Sequence, residues 1–332
     1  MISFRTIVDV PASRHKTDYQ TPALWTGSCF TENIGSRLRE LKFPHTVNPF
    51  GVLYNPASIK NSLSILIEGR EFTPEDLRQA NGVWYSFAHH SGFSHPDRET
   101  CLERINESAG NAREVLQKAG LLFVTFGTAR VFKLKETGRV VSNCHKLPHT
   151  YFEHVLLDVD RIVESWTKII RQLSEFNPAL QIVFTLSPVR HWKDGAHGNQ
   201  VSKSTLMLVI SKLREMFSNC FYFPAYEIVM DELRDYRFYD EDMLHVNNQG
   251  VNYIWERFSE SYISSSAFPV MKEVRAIRQA IEHRPFNPST VQYHAFLDKT
   301  LEKITAVEKL IPLADFSGER SFVASQLDRY FK

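Results

Sequence analysis

Short apolar runs alternate with amphipathic helical segments along this chain, and that alternation constrains its fold more than any other feature. Three runs are rich in β-branched and aromatic residues: LLFVTF at 121–126, QIVFTL at 181–186 and CFYFPA at 220–225. Continuous apolar runs of this length are typical of strands that a parallel sheet buries on both faces. A shorter fourth strand candidate, ALWTG, occupies residues 23–27.

The segments between these runs have helical periodicity. Residues 158–173 place their apolar side chains on one face, with Asp158 in the N-cap position, and residues 201–217 repeat the pattern. The segment 55–69 starts with an asparagine and a proline and ends at a glycine, as helices often do. Strands separated by helices predict an α/β fold with a parallel sheet covered by helices on both faces. Sites in such folds form at the carboxyl ends of the strands.

The end of the chain follows a different pattern. From about residue 263, two helical stretches at 268–283 and 289–309 follow each other without an obvious strand between them. We therefore predict two units, an α/β domain over residues 1–262 and a helical C-terminal extension over residues 263–332.

Charge and hydropathy exclude several classes of protein. A formal net charge of +1 argues against a nucleic-acid or anionic membrane partner. There is no run of 18 apolar residues to span a membrane, and residues 1–20 do not resemble a secretion signal. The cysteines are widely spaced, so we expect reduced thiols in a cytoplasmic protein; they are Cys29, Cys101, Cys144 and Cys220.

Two possible nucleophiles lie side by side in LWTGSCFTENIG, where the first strand candidate meets a helical pattern. At such a turn Ser28 would project over the edge of the sheet. The backbone amide of Cys29 would point from the helix N-terminus toward a developing oxyanion. A thiol is the better intrinsic nucleophile, but the side chain of Cys29 should turn into the protein, so we assign the attack to Ser28. The alternative is that Ser28 only caps the helix.

A base and a carboxylate stand together in YDEDMLHVNNQGVNYIWERF, at 239–258. Asp242 and His245 are three residues apart in a loop directly before a helical pattern. A serine nucleophile needs an imidazole base, and the imidazole needs an orienting carboxylate. The alternative is that the two residues only cap the helix.

Taken together, Gly-Ser at the first strand-to-helix turn and Asp-x-x-His near the end of the α/β region resemble the SGNH/GDSL hydrolase superfamily. The stretches GSCF, NPFGVLYNP at 48–56, NCHK at 143–146 and SPVR at 187–190 resemble the GSCFA family within it. This resemblance implies a three-layer flavodoxin-like fold and a Ser-His-Asp acyl esterase. It makes Ser28 the nucleophile, His245 the base and Asp242 its orienting partner.

The resemblance also implies an oxyanion hole, formed by the amides of Cys29 and Gly51 and a third donor. Gly51 can equally be a plain turn glycine. The third donor is usually an asparagine after a strand, but FGTARVF has no asparagine there. Thr128 could replace it through its hydroxyl, or Asn143 or Asn55 could reach in from another loop.

Three further residues are candidates for substrate binding. Arg190 follows a strand in SPVR, and its planar guanidinium suits an anionic or sugar substrate, although it could instead pair with a structural carboxylate. Asn143 and His145 could border the site, or lie on the surface.

No metal or organic cofactor is expected. His89, His90 and His95 cluster in FAHHSGFSHPD, but they lack the ligand spacing of a metal signature.

We therefore predict a serine esterase that hydrolyses an ester or transfers an acyl group, with an O-acetyl group on a carbohydrate as the first candidate substrate. Two alternatives stay open. In the first, the chain binds a carbohydrate or acylated ligand with weak or no catalysis; in the second, the helical tail is the working part of an interaction protein. The sequence does not determine the oligomeric state.

Overall fold

A computed structural model describes residues 5–331 of the chain. Its strands are β1 (Ala23–Gly27), β2 (His45–Val47), β3 (Arg78–Ala80), β4 (Val83–Tyr85), β5 (Leu121–Phe126), β6 (Arg130–Leu134), β7 (Val140–Val141), β8 (Phe152–Leu156), β9 (Gln181–Leu186) and β10 (Cys220–Tyr222). Its helices are α1 (Cys29–Glu40), α2 (Pro56–Glu68), α3 (Arg98–Lys118), α4 (Val159–Phe176), α5 (Gly195–Met216), α6 (Ala225–Glu227), α7 (Asn248–Tyr262), α8 (Ala267–Glu282), α9 (Val291–Leu310) and α10 (Ser317–Phe331).

Five parallel strands form the central sheet, in the order β10-β9-β5-β1-β2. Counted among the parallel strands alone, this is the order 2-1-3-4-5 of flavodoxin-like folds, in which the chain reverses its direction of winding beside the first strand. The predicted α/β architecture is confirmed. The register pairs Gly27 with Thr125 and Thr125 with Thr185, so the ends of β1, β5 and β9 lie level at one edge.

Helices cover both faces of the sheet because alternate residues of each strand point to opposite sides. Leu24 of β1 packs in an apolar cluster with residues of α2, α3, α4 and α5. Its neighbour Trp25 lies on the other face, in a cluster with residues of α1, α7 and α8. Both tryptophan and leucine are buried, as expected for a strand in the middle layer.

Local signals place several of the predicted helices. Asp158 caps α4 by accepting hydrogen bonds from the amides of Asp160 and Arg161. Asn55 caps α2 through the amide of Ser58, and Gly69 ends that helix in the left-handed conformation with φ +67°.

The structure corrects the sequence interpretation in several places. The strand predicted at 220–225 ends at Tyr222, and the chain turns there into the short helix α6, followed by a π-helical turn at Ile228–Glu232. Strand β2, helix α3, the β3-β4 hairpin and the antiparallel sheet β7-β6-β8 were not predicted.

The C-terminal helices pack on the α/β region. Apolar side chains of α8 and α9 belong to the same buried cluster as those of α1 and α7. Arg278 of α8 also forms a salt bridge with Glu40 at the end of α1. The division into residues 1–262 and 263–332 stays a prediction. Residues 1–4, which also begin the segment considered as a secretion signal, and residue 332 lie outside the described part of the chain.

None of the helices within residues 5–331 is long and apolar enough to cross a membrane.

Candidate active site

Ser28 occupies the turn between β1 and α1, at the carboxyl edge of the sheet. Its amide donates to the carbonyl of Thr125 at 3.2 Å, and its carbonyl accepts from the amide of Thr31 at 2.8 Å. The side chain makes no capping hydrogen bond to α1, and only 1% of the residue is exposed. Within residues 5–331 its hydroxyl oxygen has no hydrogen-bond partner at all. A buried hydroxyl without a partner is rare, because losing its hydrogen bonds to water costs free energy.

The residue before Ser28 must be glycine. Gly27 has φ +145°, and a Cβ atom there would lie 2.3 Å from the carbonyl oxygen of Thr125 on the neighbouring strand. Any side chain would push β1 away from β5 at the point where Ser28 leaves the sheet. The glycine therefore allows the turn to stay close to the sheet edge.

Asn48 holds this turn in place, and the sequence analysis did not identify it. Its Oδ1 accepts from the amide of Gly27 at 2.8 Å, its own amide donates to the carbonyl of Trp25, and its Nδ2 donates to Glu32. Asn48 is buried and has φ +47°, a conformation that asparagine tolerates better than most residues. The sequence signal that could have identified this residue is an asparagine directly before a proline, Pro49.

Cys29 is the first residue of α1 and is partly exposed. Its amide has no carbonyl four residues earlier within the helix, so it can donate to a ligand at the helix N-terminus. Burial raises the pKa of the Cys29 thiol, although nearby Lys203 and the amide of Phe30 oppose that rise. A thiol with a raised pKa carries little thiolate at neutral pH and is a poor nucleophile.

The other two expected oxyanion donors already have acceptors within the protein. The amide of Gly51 donates to the carbonyl of Asn48 at 2.7 Å, which closes a turn. The amide of Thr128 donates to the carbonyl of Tyr54 at 2.9 Å, and its Oγ1 lies 3.0 Å from Oγ of Ser202. The oxyanion roles of Gly51 and Thr128 stay predictions.

The two asparagines considered as replacements are also engaged through their side-chain oxygens. Asn55 caps α2, and Oδ1 of Asn143 accepts from the amide of His145 at 2.7 Å.

Asp242 and His245 form a hydrogen-bonded pair. Nδ1 of His245 lies 2.5 Å from Oδ2 of Asp242, while Oδ1 of Asp242 accepts from the amides of Leu244 and His245 at 2.9 Å each. The hydrogen bond with His245, and then these two amides, lower the pKa of Asp242 to about 2. The carboxylate is therefore ionised and oriented toward the imidazole. Neither residue caps α7, because Asn247 does so through the amides of Gln249 and Gly250.

The pair does not contact Ser28 in this structure. Half of the His245 side chain is exposed, whereas Ser28 is buried, and no hydrogen bond joins them within the described chain. Catalytic hydrogen bonds are often long or unformed in unliganded sites and tighten when substrate binds.

Beside Asp242 lies an open cavity of about 670 Å³, which Arg190, Trp192, Tyr236 and Tyr239 help to line. The guanidinium of Arg190 contacts the sulfur of Met230 at 3.3 Å. Among residues 5–331 no carboxylate lies within ion-pair distance of it. The alternative of a structural ion pair for Arg190 is therefore not observed.

Asn143 and His145 lie in the loop after β7. Nε2 of His145 is 2.9 Å from the carbonyl oxygen of Ser86, and its ring stacks on Tyr85. Burial lowers the pKa of His145. These contacts fix the loop against the β3-β4 hairpin, and a substrate contact for either residue stays a prediction.

Two residues that the sequence analysis missed lie close to Ser28. Lys203 of α5 is completely buried, and its Nζ donates to the carbonyls of Gly127 and Ser187 at 2.7 Å each. Burial lowers the pKa of Lys203 to about 7. The lysine thus ties together the chain segments that leave β5 and β9. The sequence of α5 has the apolar pattern of an ordinary amphipathic helix, so no local signal indicated that this lysine is buried.

His191 follows Arg190 in the loop after β9. A Cβ atom on Gly127 would lie 3.2 Å from Cβ of Ser28 and 3.3 Å from Nε2 of His191. The three residues therefore lie close together. Burial, and then nearby Lys203 and His245, lower the pKa of His191 to about 4.

No group of three or more histidine, cysteine, aspartate or glutamate side chains in the described residues is arranged to hold a metal ion. The ring of His89 is instead packed between Phe50 and Phe72.

Fold and site together define a flavodoxin-like α/β protein with a buried serine at its first strand-to-helix turn and an Asp-His pair at the same edge of the sheet. The sequence profile of the GSCFA family matches residues 22–258, so the chain belongs to that family. A second profile, for the C-terminal domain of GSCFA domain proteins, matches residues 274–329.

Solved structures show more distant likenesses. A carbohydrate esterase of family 3 from Talaromyces cellulolyticus is 8% identical, with a TM-score of 0.35 over 76% of this chain and 99% of that one. A Bacteroides fragilis protein assigned provisionally as an acylhydrolase is 9% identical, with a TM-score of 0.35 over 80% of this chain and 92% of that one. No curated protein sequence matches the chain.

Proposed function

We propose that this protein is a serine esterase or acyl hydrolase, with Ser28 as nucleophile, His245 as general base and Asp242 as its orienting partner. The observation that carries the proposal is the oriented Asp242-His245 pair at the same sheet edge as the Ser28 hydroxyl, which is buried and has no hydrogen-bond partner within residues 5–331. A hydroxyl held without a partner is available to a substrate carbonyl, and an imidazole held through Nδ1 presents Nε2 as the proton acceptor.

In the first step Oγ of Ser28 attacks the carbonyl carbon while its proton passes to Nε2 of His245. The amide of Cys29 stabilises the negative oxygen of the tetrahedral intermediate. His245 then gives the proton to the departing alcohol, and the carbon–oxygen bond of the ester breaks. Water, activated by the same imidazole, hydrolyses the acyl-Ser28 ester and regenerates the enzyme. An acceptor alcohol in place of water would give acyl transfer.

The substrate we propose is a small acyl ester on a carbohydrate, such as an O-acetyl group. Support comes from the cavity beside Asp242, where the exposed rings of Trp192 and Tyr236 lie near the guanidinium of Arg190, which has no carboxylate within ion-pair distance among residues 5–331. Aromatic faces pack against the apolar faces of sugars, and a guanidinium offers several fixed donors to hydroxyl or carboxylate oxygens.

The test uses hydrolysis of p-nitrophenyl acetate together with labelling by a fluorophosphonate probe, mapped by mass spectrometry. Ser28→Ala should abolish both, whereas Cys29→Ala should keep both within about tenfold because alanine retains the amide. His245→Ala should lower kcat by roughly a thousandfold or more. His294→Ala is the matched control, since His294 forms a similar exposed pair with Asp298, at 2.9 Å, in the C-terminal helix α9.

Two results would overturn the assignment. Inactivation by iodoacetamide at Cys29, with Ser28→Ala still active, would make the cysteine the nucleophile. An unreactive Ser28 in a protein that binds acetylated sugars without turnover would instead identify a binding protein.

A further inference from the structure

The position of His191 is set by two neighbouring segments, the start of α5 and the loop that contains Tyr54. Its amide donates to Oδ1 of Asn199 at 3.0 Å, and Asn199 is only 1% exposed at the start of α5. Its ring stands edge-on to the ring of Tyr54, with 5.5 Å between centroids. The carbonyl of Tyr54 in turn accepts from the amides of Gly127 and Thr128. The imidazole is therefore held by the loop that also fixes the end of β5.

That position brings Nε2 of His191 beside Ser28. Both Nε2 and the serine Cβ lie within 3.3 Å of the point where a Gly127 Cβ would be, so a side chain larger than glycine would separate them. Gly127 is the glycine of the segment where the family resemblance expects an asparagine donor. Thr128, which follows it, has its amide and hydroxyl engaged with Tyr54 and Ser202.

The ring is neutral above about pH 4, because burial and the nearby Lys203 and His245 lower the pKa of His191 to about 4. A neutral imidazole carries one N–H donor and can polarise a carbonyl oxygen without giving up a proton. It is a weak proton acceptor, and the Asp242 carboxylate is already hydrogen-bonded to His245. The chemistry that suits His191 is therefore donation rather than general base catalysis.

We propose that His191 is a catalytic residue that donates a hydrogen bond from Nε2 to the oxyanion formed when Ser28 attacks the substrate carbonyl. It supplies the contact that the missing asparagine would supply, and it acts together with the amide of Cys29. The inference rests on the proposed esterase function and adds a donor to it.

The test compares His191→Ala with His191→Gln, whose side-chain amide can still donate. His191→Ala should lower kcat for p-nitrophenyl acetate by about 10²–10³-fold, the usual effect of losing one oxyanion donor, with little change in KM. His191→Gln should recover at least tenfold of that loss. His197→Ala, an exposed histidine at the start of the same helix α5, should behave as the native protein.

An aryl trifluoromethyl ketone separates donation from a structural role. Such ketones form an oxyanion adduct with a serine hydroxyl, so His191→Ala should raise Ki for the ketone by about the factor by which kcat falls. A general loss of structure would lower the melting temperature and the activity of the alanine and glutamine variants equally, and that result overturns the proposal.

Three further results would also overturn it. His191→Ala with activity within threefold of native removes the ring from the reaction. Loss of the acid limb of the pH–rate profile in that variant would make His191 the base instead. Failure of native protein to show any Ser28-dependent hydrolysis overturns the esterase assignment and this inference with it, whereas full activity in His191→Ala overturns the inference alone.

Discussion

Replacement of Lys203 by methionine tests the electrostatics of the site, because the amine of this residue is titratable and completely buried close to Ser28. Two opposing terms decide its effect on stability. Methionine leaves the carbonyls of Gly127 and Ser187 without a donor, which costs about 1–3 kcal/mol for each buried acceptor. The same substitution removes the cost of burying an amine whose pKa falls from 10.5 to about 7.

The cost of burying the amine depends on pH, and the direction of the pKa shift determines whether native stability rises or falls with pH. Between pH 7 and 10.5 the unfolded state binds a proton at Lys203 that the folded state does not, so native stability rises with pH. The stability gained in this way is complete above pH 10.5 and is lost as the pH falls toward 7. At 1.36 kcal/mol for each pH unit, the free energy of unfolding of native protein should gain roughly 2–3 kcal/mol over the variant between pH 7.5 and 9.5.

Urea unfolding followed by tryptophan fluorescence at pH 7.5, 8.5 and 9.5 measures this difference, provided that the m-value stays constant. Lys212→Met is the matched control on the same helix. Lys212 is exposed and pairs with Asp160, which raises its pKa, so its contribution should be flat over this range. A native-minus-Lys203→Met difference that does not change with pH would refute the buried neutral amine.

Two other substitutions test the turn and the cavity. Asn48→Ala should destabilise the protein by about 1–3 kcal/mol in urea unfolding and lower kcat, because the buried amide of Gly27 loses its acceptor; unchanged stability would show that water replaces the asparagine. Arg190→Lys should raise KM for an acetylated acidic sugar but leave p-nitrophenyl acetate hydrolysis nearly unchanged, since an ammonium cannot reproduce a bidentate contact. Equal losses with both substrates would show instead that the residue has a structural role.

Continuous apolar runs predicted β1, β5 and β9 well, since each is buried along nearly its whole length. Strand β2 was not predicted because it consists of only three half-buried residues at the edge of the sheet. Helix α3 buries mainly small or isolated side chains, among them Ala109 and Ala112, so its apolar stripe is weak in the sequence.

At the candidate site, too, the sequence predicted a contact within one loop but not the contacts between distant segments. Asp242 and His245 were identifiable because their contact is made within one loop, three residues apart. Lys203 reaches Gly127 across 76 residues, and the approach of His191 to Ser28 depends on how the ends of β1, β5 and β9 align. No short motif contains that information. The engaged amides of Gly51 and Thr128 likewise depend on backbone turns formed by Asn48 and Tyr54.

Helix α1 begins directly after the candidate nucleophile and ends at Glu40, which pairs with Arg278 of the C-terminal region. Two residues further on, Lys42 pairs with Glu319 at the start of α10. Twelve residues of α-helix make a rod of about 18 Å that bends little. The C-terminal helices therefore hold the end of α1 that lies farthest from Ser28. Shortening the chain there would remove a support of the serine turn, so a truncated protein that lost activity would say nothing about whether the tail binds substrate.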